Sequence, residues 1–443
     1  MAGGQGILYD ESMESLRIEP FSRSFDKTFA PPGSKSLTNR AMVLAALGES
    51  RCTLTGALFA DDTRVMIDGL QKLGFEVDAD EAAKAIHVKG RGGVIPATAA
   101  ECFCGNSGTT IRFLTALCGL GRGTYTVDGV PRMRQRPIGP LVTMLRNLGV
   151  RIDHSMADGF PPLCIHADEL PGGLVRYGSE TSSQYLSALL HAAPYAHHEV
   201  IVDLVGRQTS WPYVAMTMQL MDRFGVTCEL VRDPVTQEPT QIVVPRDTYV
   251  LEQYAVEPDA SNATYFLALA ALHKGSRITI EGLGKTSLQG DVGFADVLHQ
   301  MGAQLTFGSD FITVTGTGDL AGVDVDLSNM PDTAQTLAVV ALFADGPTSI
   351  SGLHTLRVKE TDRLAALQNE LTKLGAEVDI EGDTLHIEPP DKLKVVSVDT
   401  YDDHRMAMSF TLAGTKTAGV TINDPLCVNK TYPNYFEDIE SFR

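Results

Sequence analysis

An α/β protein of two domains, with three repeated units in each, is the fold that this sequence predicts, and three observations point to it. A glycine follows an amphipathic stretch five times, in Leu73-Gly74-Phe75-Glu76-Val77, Leu148-Gly149-Val150-Arg151-Ile152, Phe224-Gly225-Val226, Met301-Gly302-Ala303 and Leu374-Gly375-Ala376-Glu377-Val378, at spacings of 75, 76, 77 and 73 residues. A period that regular marks repeated structural units. Apolar spacing is helical before each glycine and alternates with period two after it. Finally, Leu16-Arg17-Ile18-Glu19-Pro20 near the start matches Leu385-His386-Ile387-Glu388-Pro389, a strand late in the fifth unit.

Within one unit, Leu364, Leu367, Leu371 and Leu374 fall on a single helical face. The glycine then ends the helix in the left-handed conformation that a Cβ disfavours. A strand, a turn and a second strand follow, the second strand being visible in Ile86-His87-Val88, Ile242-Val243-Val244, Phe311-Ile312-Thr313-Val314 and Leu385-His386-Ile387. The chain closes on an expected helix from Asn434 to Phe442 with no strand behind it, so the Leu16 strand is expected to complete that sixth unit. One domain is then discontinuous, residues 1–32 and 257–443, and the other continuous, residues 33–256. Pro31-Pro32-Gly33 and the polar run Glu252 to Asp259 are the expected junctions. A solenoid is the competing architecture, but solenoid periods run from about 20 to 50 residues.

Composition sets outer limits. The 443 residues, 43% hydrophobic and 21% charged, suffice for two cores. No apolar run reaches the roughly 18 to 20 residues of a membrane-spanning helix. Asp10, Glu11 and Glu14 argue against a transit peptide, and residues 1 to 7 are expected to form a disordered lead-in. Seven scattered cysteines suit the reduced thiols of a cytoplasmic protein without disulfides, and Cys102 and Cys104 lack a second pair at zinc spacing. A formal charge of −19 argues against nucleic acid or an anionic membrane as partner. An anionic substrate must therefore meet a local basic cluster.

Such clusters exist. Pro32-Gly33-Ser34-Lys35-Ser36-Leu37-Thr38-Asn39-Arg40 is a turn feeding a helix, with free backbone N–H groups and two cations. The Gly-x4-Gly-Lys-Ser spacing of a Walker loop is absent. Gly105-Asn106-Ser107-Gly108-Thr109-Thr110-Ile111-Arg112 is a second small-residue turn, in which Gly108 allows close approach to the backbone. Pro131-Arg132-Met133-Arg134-Gln135-Arg136-Pro137 carries three arginines, whose forks suit carboxylate and phosphate; a solvated charge run is the plainer alternative. Ser182-Ser183-Gln184 opens an apolar run, and Thr209-Ser210-Trp211-Pro212-Tyr213 forms another turn. Later come Asp332, then Arg357-Val358-Lys359-Glu360-Thr361-Asp362-Arg363, then Asp402-Asp403-His404-Arg405-Met406-Ala407-Met408, and Lys430. A helix through the second of these puts Lys359 and Arg363 on one face.

Taken in order, these segments resemble the 5-enolpyruvylshikimate-3-phosphate synthases, over about residues 16 to 437. The resemblance implies a two-domain inside-out barrel of six βαβαββ units, three per domain, with the active site in the interdomain cleft. It implies transfer of the enolpyruvyl group of phosphoenolpyruvate to shikimate 3-phosphate, in a cytoplasmic enzyme of the shikimate pathway, with no cofactor, no metal and one chain sufficing. By motif position it makes Ser36, Arg40, Ser182, Ser183, Ser210, Tyr213, Asp332 and Lys359 contacts to the shikimate phosphate. Lys35, Gly108, Arg136, Gln184, Arg363, Arg405 and Lys430 become contacts to phosphoenolpyruvate, and His404 helps shape the site. Glu360 and Lys430 are then the candidates for proton traffic at the methylene carbon, and Asp332 the candidate base for the hydroxyl. Two positions depart from the family pattern. Phe113 stands where many members have Pro, which bears on the loop beside Gly108 and on the response to glyphosate, and Thr355 stands where many have Asn. The alternatives are the related transferase acting on a UDP-amino sugar, whose catalytic-cysteine loop has no match here, and an inactive homologue that only binds a sugar-acid phosphate.

Overall fold

The computed structural model describes residues 13–178, 181–206 and 208–443. The expected lead-in at residues 1 to 7, with Asp10 and Glu11, lies outside them. The chain divides into two compact units: Gly33–Glu257, and Pro258–Arg443 together with the described residues up to Pro32. Glu257, assigned by the sequence to the second of these, stays with the first because its carbonyl accepts a hydrogen bond from Ser34 N at 2.8 Å.

The continuous unit holds three four-stranded sheets. In the first, Arg51–Thr55 lies parallel to Gln253–Ala255 and antiparallel to Ala85–Lys89, with Glu76–Asp80 outside. The second orders Ala99–Phe103, Arg122–Asp128, Leu163–Asp168 and Arg151–His154, and the third Gly173–Tyr177, Val200–Leu204, Pro239–Val244 and Glu229–Arg232, both with the same directions. Two helices accompany each sheet: α1 (Lys35–Leu47) and α2 (Asp61–Lys72), α3 (Gly108–Cys118) and α4 (Gly139–Asn147), α5 (Gln184–Ala192) and α6 (Trp211–Arg223).

The discontinuous unit repeats the plan. Asp26–Phe29 pairs parallel with Arg277–Glu281 beside α7 (Ala260–Leu272) and α8 (Phe294–Gln300). Asp324–Asp326 pairs parallel with Thr348–Ser351 beside α9 (Ala334–Ala341) and α10 (Arg363–Leu374). The last sheet has three strands: Val396–Val398, Val420–Asn423 and Ser15–Arg17, with α11 (His404–Lys416) and α12 (Tyr435–Glu440). Its strand from the start of the chain runs antiparallel to Val420–Asn423, with Leu16 opposite Ile422. The expected helix from Asn434 to Phe442 is the shorter α12.

Within each sheet family the helices differ in kind. The first helix of every unit is enclosed: all of α3, α7 and α9 and nearly all of α1, α5 and α11 are buried. In one unit α1, α3 and α5 touch pairwise, and in the other α7, α9 and α11 do. The second helix of each unit has one apolar face, which is where the repeat was visible. In five of the six units its end is set by glycine: Gly74, Gly149, Gly225, Gly302 and Gly375 have φ of +90°, +97°, +96°, +117° and +108°. An L side chain there is strained.

At Gly375 an added Cβ would meet only Pro390 and the flexible Lys394, no closer than 3.5 Å, so the penalty is that of the backbone alone. Gly375→Ala is expected to destabilise its unit by about 1–2 kcal/mol. A lowered thermal midpoint checks this, and an unchanged one would show that the helix end can rearrange freely.

Candidate active site

In the continuous unit three of the polar motifs sit at the starts of the three enclosed helices, the 131–137 segment precedes α4, and the 209–213 turn leads into α6. Ser34 caps α1 by accepting from Leu37 N at 3.4 Å, which places Lys35 on the first turn. Lys35 Nζ lies 3.1 Å from Asp62 Oδ2, a side chain only 4% exposed at the start of α2. Ser107 caps α3, accepting from Thr110 N, and Asn39 of α1 donates to Thr109 Oγ1 at 2.9 Å. Arg112 joins α3 to α5: its Nη1 donates to Gly108 O at 3.1 Å and to Gln184 Oε1 at 2.7 Å. Gln184 is the first residue of α5, and its N–H donates to Ser182 Oγ at 3.2 Å, while Ser183 is buried beside it.

An added side chain at Gly108 would force the guanidinium ends of two arginines to shift. A Cβ would lie 2.5 Å from Arg112 Nη1 and 2.8 Å from Arg136 Nη2. Of the three arginines in the 131–137 segment, Arg136 is the buried one, and its Nη1 donates to Asn106 O and Oδ1. Arg134 is exposed and spent on Asp128, and Arg132 donates to Gln135. Arg134 fits the solvated alternative, while Arg132 is half-buried.

Arg40 is 1% exposed, with Nε on Thr217 Oγ1 at 2.8 Å, Nη2 on Ser187 Oγ at 3.3 Å and Nη1 on the Ser36 carbonyl at 3.2 Å. Burial pulls its pKa down to about 10, against the opposing effect of Tyr213. Its guanidinium lies over the Phe113 ring, whose edge meets His191. Ser210, ahead of α6, holds φ at +51°, a conformation a serine adopts only under local constraint.

The discontinuous unit centres on Asp332, just before α9. Its Oδ1 meets Lys359 Nζ at 3.3 Å and Arg363 Nη1 at 3.1 Å, and its Oδ2 meets Arg405 Nη2 at 3.1 Å. Arg363 is buried, yet touches three carboxylates: Asp332, Glu360 Oε2 at 2.9 Å, and Asp403 at 2.7 and 3.2 Å. Burial works against its charge, but Asp403, Glu360 and Asp332 outweigh that and raise its pKa above the ordinary arginine value. Lys430 Nζ stands 3.9 Å from Glu360 Oε1. Asp403 caps α11, accepting from Arg405 N at 3.0 Å, and His404 is buried beside it. Lys359 and Arg363 do not share a helix as expected. With Asp362 as its N-cap, α10 begins at Arg363, and the two cations converge on Asp332 from a loop and a helix start.

Asp62, Arg112 and Asp403 were not singled out. Asp62 lies outside every motif, while Arg112 and Asp403 sat inside quoted motifs without a role. Thr355 is 2% exposed, and its Oγ1 has no hydrogen-bond partner among the described residues. Chemically, the first cluster joins Lys35, Arg112 and Arg136 to three helix N-termini. The second joins four cations to three carboxylates. Both favour anions in a chain that is acidic overall.

Asp291 adds a pH dependence. It is buried and accepts from Ser261 Oγ. Burial, with the charge of Asp332 adding to it, pushes its pKa up to about 6 from 3.8. Between those values the folded chain keeps a proton that the unfolded chain has lost. Its contribution to stability is thus greatest below the ordinary aspartate pKa, falls as pH rises through about 6 and is level above that, a change on the order of 2–3 kcal/mol. Asp291→Asn should raise the thermal midpoint relative to the parent more at pH 7 than at pH 4. A difference that is the same at both pH values would refute the shift.

The sequence model of EPSP synthase (3-phosphoshikimate 1-carboxyvinyltransferase) matches residues 22–439. The 3-phosphoshikimate 1-carboxyvinyltransferase of Sulfurovum sp. (strain NBC37-1) is 46% identical over 430 residues, which is 97% of this chain and 99% of that protein. The chloroplastic protein of the same name from Brassica napus is 46% identical over 449 residues, covering 97% of this chain and 86% of its own length. A solved EPSP synthase from Acinetobacter baumannii superposes with a TM-score of 0.78 at 25% identity, over 97% of this chain and 98% of that one. With the enclosed-helix units and both clusters in place, these likenesses establish that the chain belongs to the EPSP synthase family.

Proposed function

We propose that the chain transfers the enolpyruvyl group of phosphoenolpyruvate to the 5-hydroxyl of shikimate 3-phosphate and releases inorganic phosphate. The observation that carries this furthest is the convergence of Lys359, Arg363 and Arg405 on Asp332. Two polyanions repel each other in water, and fixed cations offset that repulsion without reorganising. One carboxylate among those cations can meet a hydroxyl proton.

The bonds change in two steps. The 5-oxygen attacks C2 of phosphoenolpyruvate as C3 takes a proton, giving a tetrahedral intermediate with a methyl group. C3 then returns a proton, the double bond re-forms, and the C2–O bond to phosphate breaks. Asp332 is the base for the hydroxyl. Lys359, Arg363 and Arg405 hold its carboxylate in place. Glu360 and Lys430, 3.9 Å apart, handle the proton at C3. Lys35, Gly108, Arg136, Gln184, Arg363 and Arg405 hold phosphoenolpyruvate. Ser36, Arg40, Ser182, Ser183, Ser210, Tyr213 and Lys359 hold the shikimate phosphate, and His404 shapes the pocket through Asp403.

Every step is polar chemistry on side chains of one chain, so the reaction calls for neither metal nor organic cofactor and suits a cytoplasmic monomer. Among the described residues no helix is long and apolar enough to cross a membrane.

Purified protein mixed with shikimate 3-phosphate and phosphoenolpyruvate should release phosphate only when both are present. Glu360→Gln should slow release by about 10²- to 10⁴-fold, the range of a lost acid–base group. Tight binding of both substrates with no release would instead support a binding protein.

A further inference from the structure

Immediately before Asp403 the backbone does something unusual. Tyr401 and Asp402 both lie in the left-handed region, at φ of +57° and +54°. Each is a non-glycine residue there, and two in succession persist only where the surroundings over-determine them. The turn is closed by Asp403 N donating to Thr400 O at 2.9 Å.

What holds the turn is a second grip on α10. Arg363 and Glu370 are seven residues apart on that helix, two turns along one face. Arg363 takes Asp403 at one end. At the other, Glu370, whose side chain is 0% exposed, accepts from Tyr401 Oη at 2.7 Å and from Lys373 Nζ at 2.8 Å through Oε1, and from Asp399 N at 3.1 Å through Oε2. Lys373 Nζ also reaches Asp399 Oδ2 at 2.6 Å. The segment from Asp399 to Asp403 is therefore pinned to α10 at both ends, and the left-handed pair spans the gap. Beyond α10 the segment is tied only at its start, by Asn423 Nδ2 donating to Asp399 Oδ1 at 2.8 Å and Thr400 Oγ1 donating to the Asp424 carbonyl at 3.5 Å among the described residues, so the Glu370 grip is the tie that reaches the left-handed pair itself.

We infer that Tyr401 and Glu370 are positioning residues for the transfer proposed above: they hold the left-handed turn that sets Asp403, and through Asp403 they orient Arg363 and Arg405 around Asp332. The inference rests on that reaction. Tyr401 is 38% exposed, so removing its hydroxyl alone leaves the core packing intact.

Tyr401→Phe is expected to lower kcat/KM for phosphoenolpyruvate roughly 10- to 100-fold, the scale of a misplaced binding group. The affinity for shikimate 3-phosphate and the thermal midpoint should stay at parent values. Asp402→Gly in the Tyr401→Phe background should recover most of the loss, since glycine takes a positive φ without a Cβ penalty. Hydrogen exchange at the amides of Asp403 to Arg405 should accelerate at least about tenfold in Tyr401→Phe, a readout of the turn that needs no turnover. Unchanged exchange would overturn the anchor whether or not the parent is active, as would a kinetic loss matched by a drop in thermal midpoint. A parent that releases no phosphate would sink the reaction itself, and accelerated exchange in that case would still support the anchor.

Discussion

Enclosing a helix on every side leaves the same demand each time: the first N–H groups have no intrahelical partner and need one from elsewhere. Six of the helices carry it. The chain meets it with short polar side chains at the helix starts, Ser34, Ser107, Ser182, Asp259 and Asp403 among them. Small and hydroxyl-bearing residues are therefore concentrated at these starts, and the positive ends of the helix dipoles lie there too. The cationic motifs at the same places add full charges to partial ones. Packing and charge share one cause, because the helices that build each core also bring its cationic motifs together.

Charge balance follows from this arrangement. Buried cations are costly unless paired, and each cluster pairs some of its own: Lys35 with Asp62, Arg363 with Asp403 and Glu360. The pairs fix the geometry of the cations, and the excess positive charge is what an anion experiences. The net charge of −19 then acts as a background against which these two cationic places stand out.

How much of this was legible in the sequence differs by element. The amphipathic second helices, their terminal glycines and the strands after them were visible, since one face of each is polar and the period shows. Helices such as α7, Ala-Ser-Asn-Ala-Thr-Tyr-Phe-Leu-Ala-Leu-Ala-Ala-Leu, are buried all round and carry no such period. The first half of each unit was consequently known only from its polar motif. Partners that meet through tertiary contact were hidden as well. Nothing local in Asp61-Asp62-Thr63 points to Lys35, and the helix that would align Lys359 with Arg363 begins only at Arg363. Asp332 and Glu360 stand out in the sequence beside their cations, whereas Asp62, Arg112 and Asp403 take their places only through tertiary contact.

The continuous unit holds its own two ends together, Ser34 N donating to the Glu257 carbonyl. The consequence is kinetic. Asp26–Phe29 must find Arg277–Glu281, and Ser15–Arg17 must find Val420–Asn423, across a long intervening stretch of chain. Once Gly33–Glu257 has folded, however, that stretch becomes a rigid insert with adjoining ends, and closing the loop costs little more than closing a short one. Emerging first from the ribosome as a complete body, it converts the remaining unit from a problem of distant pairing into one of near neighbours.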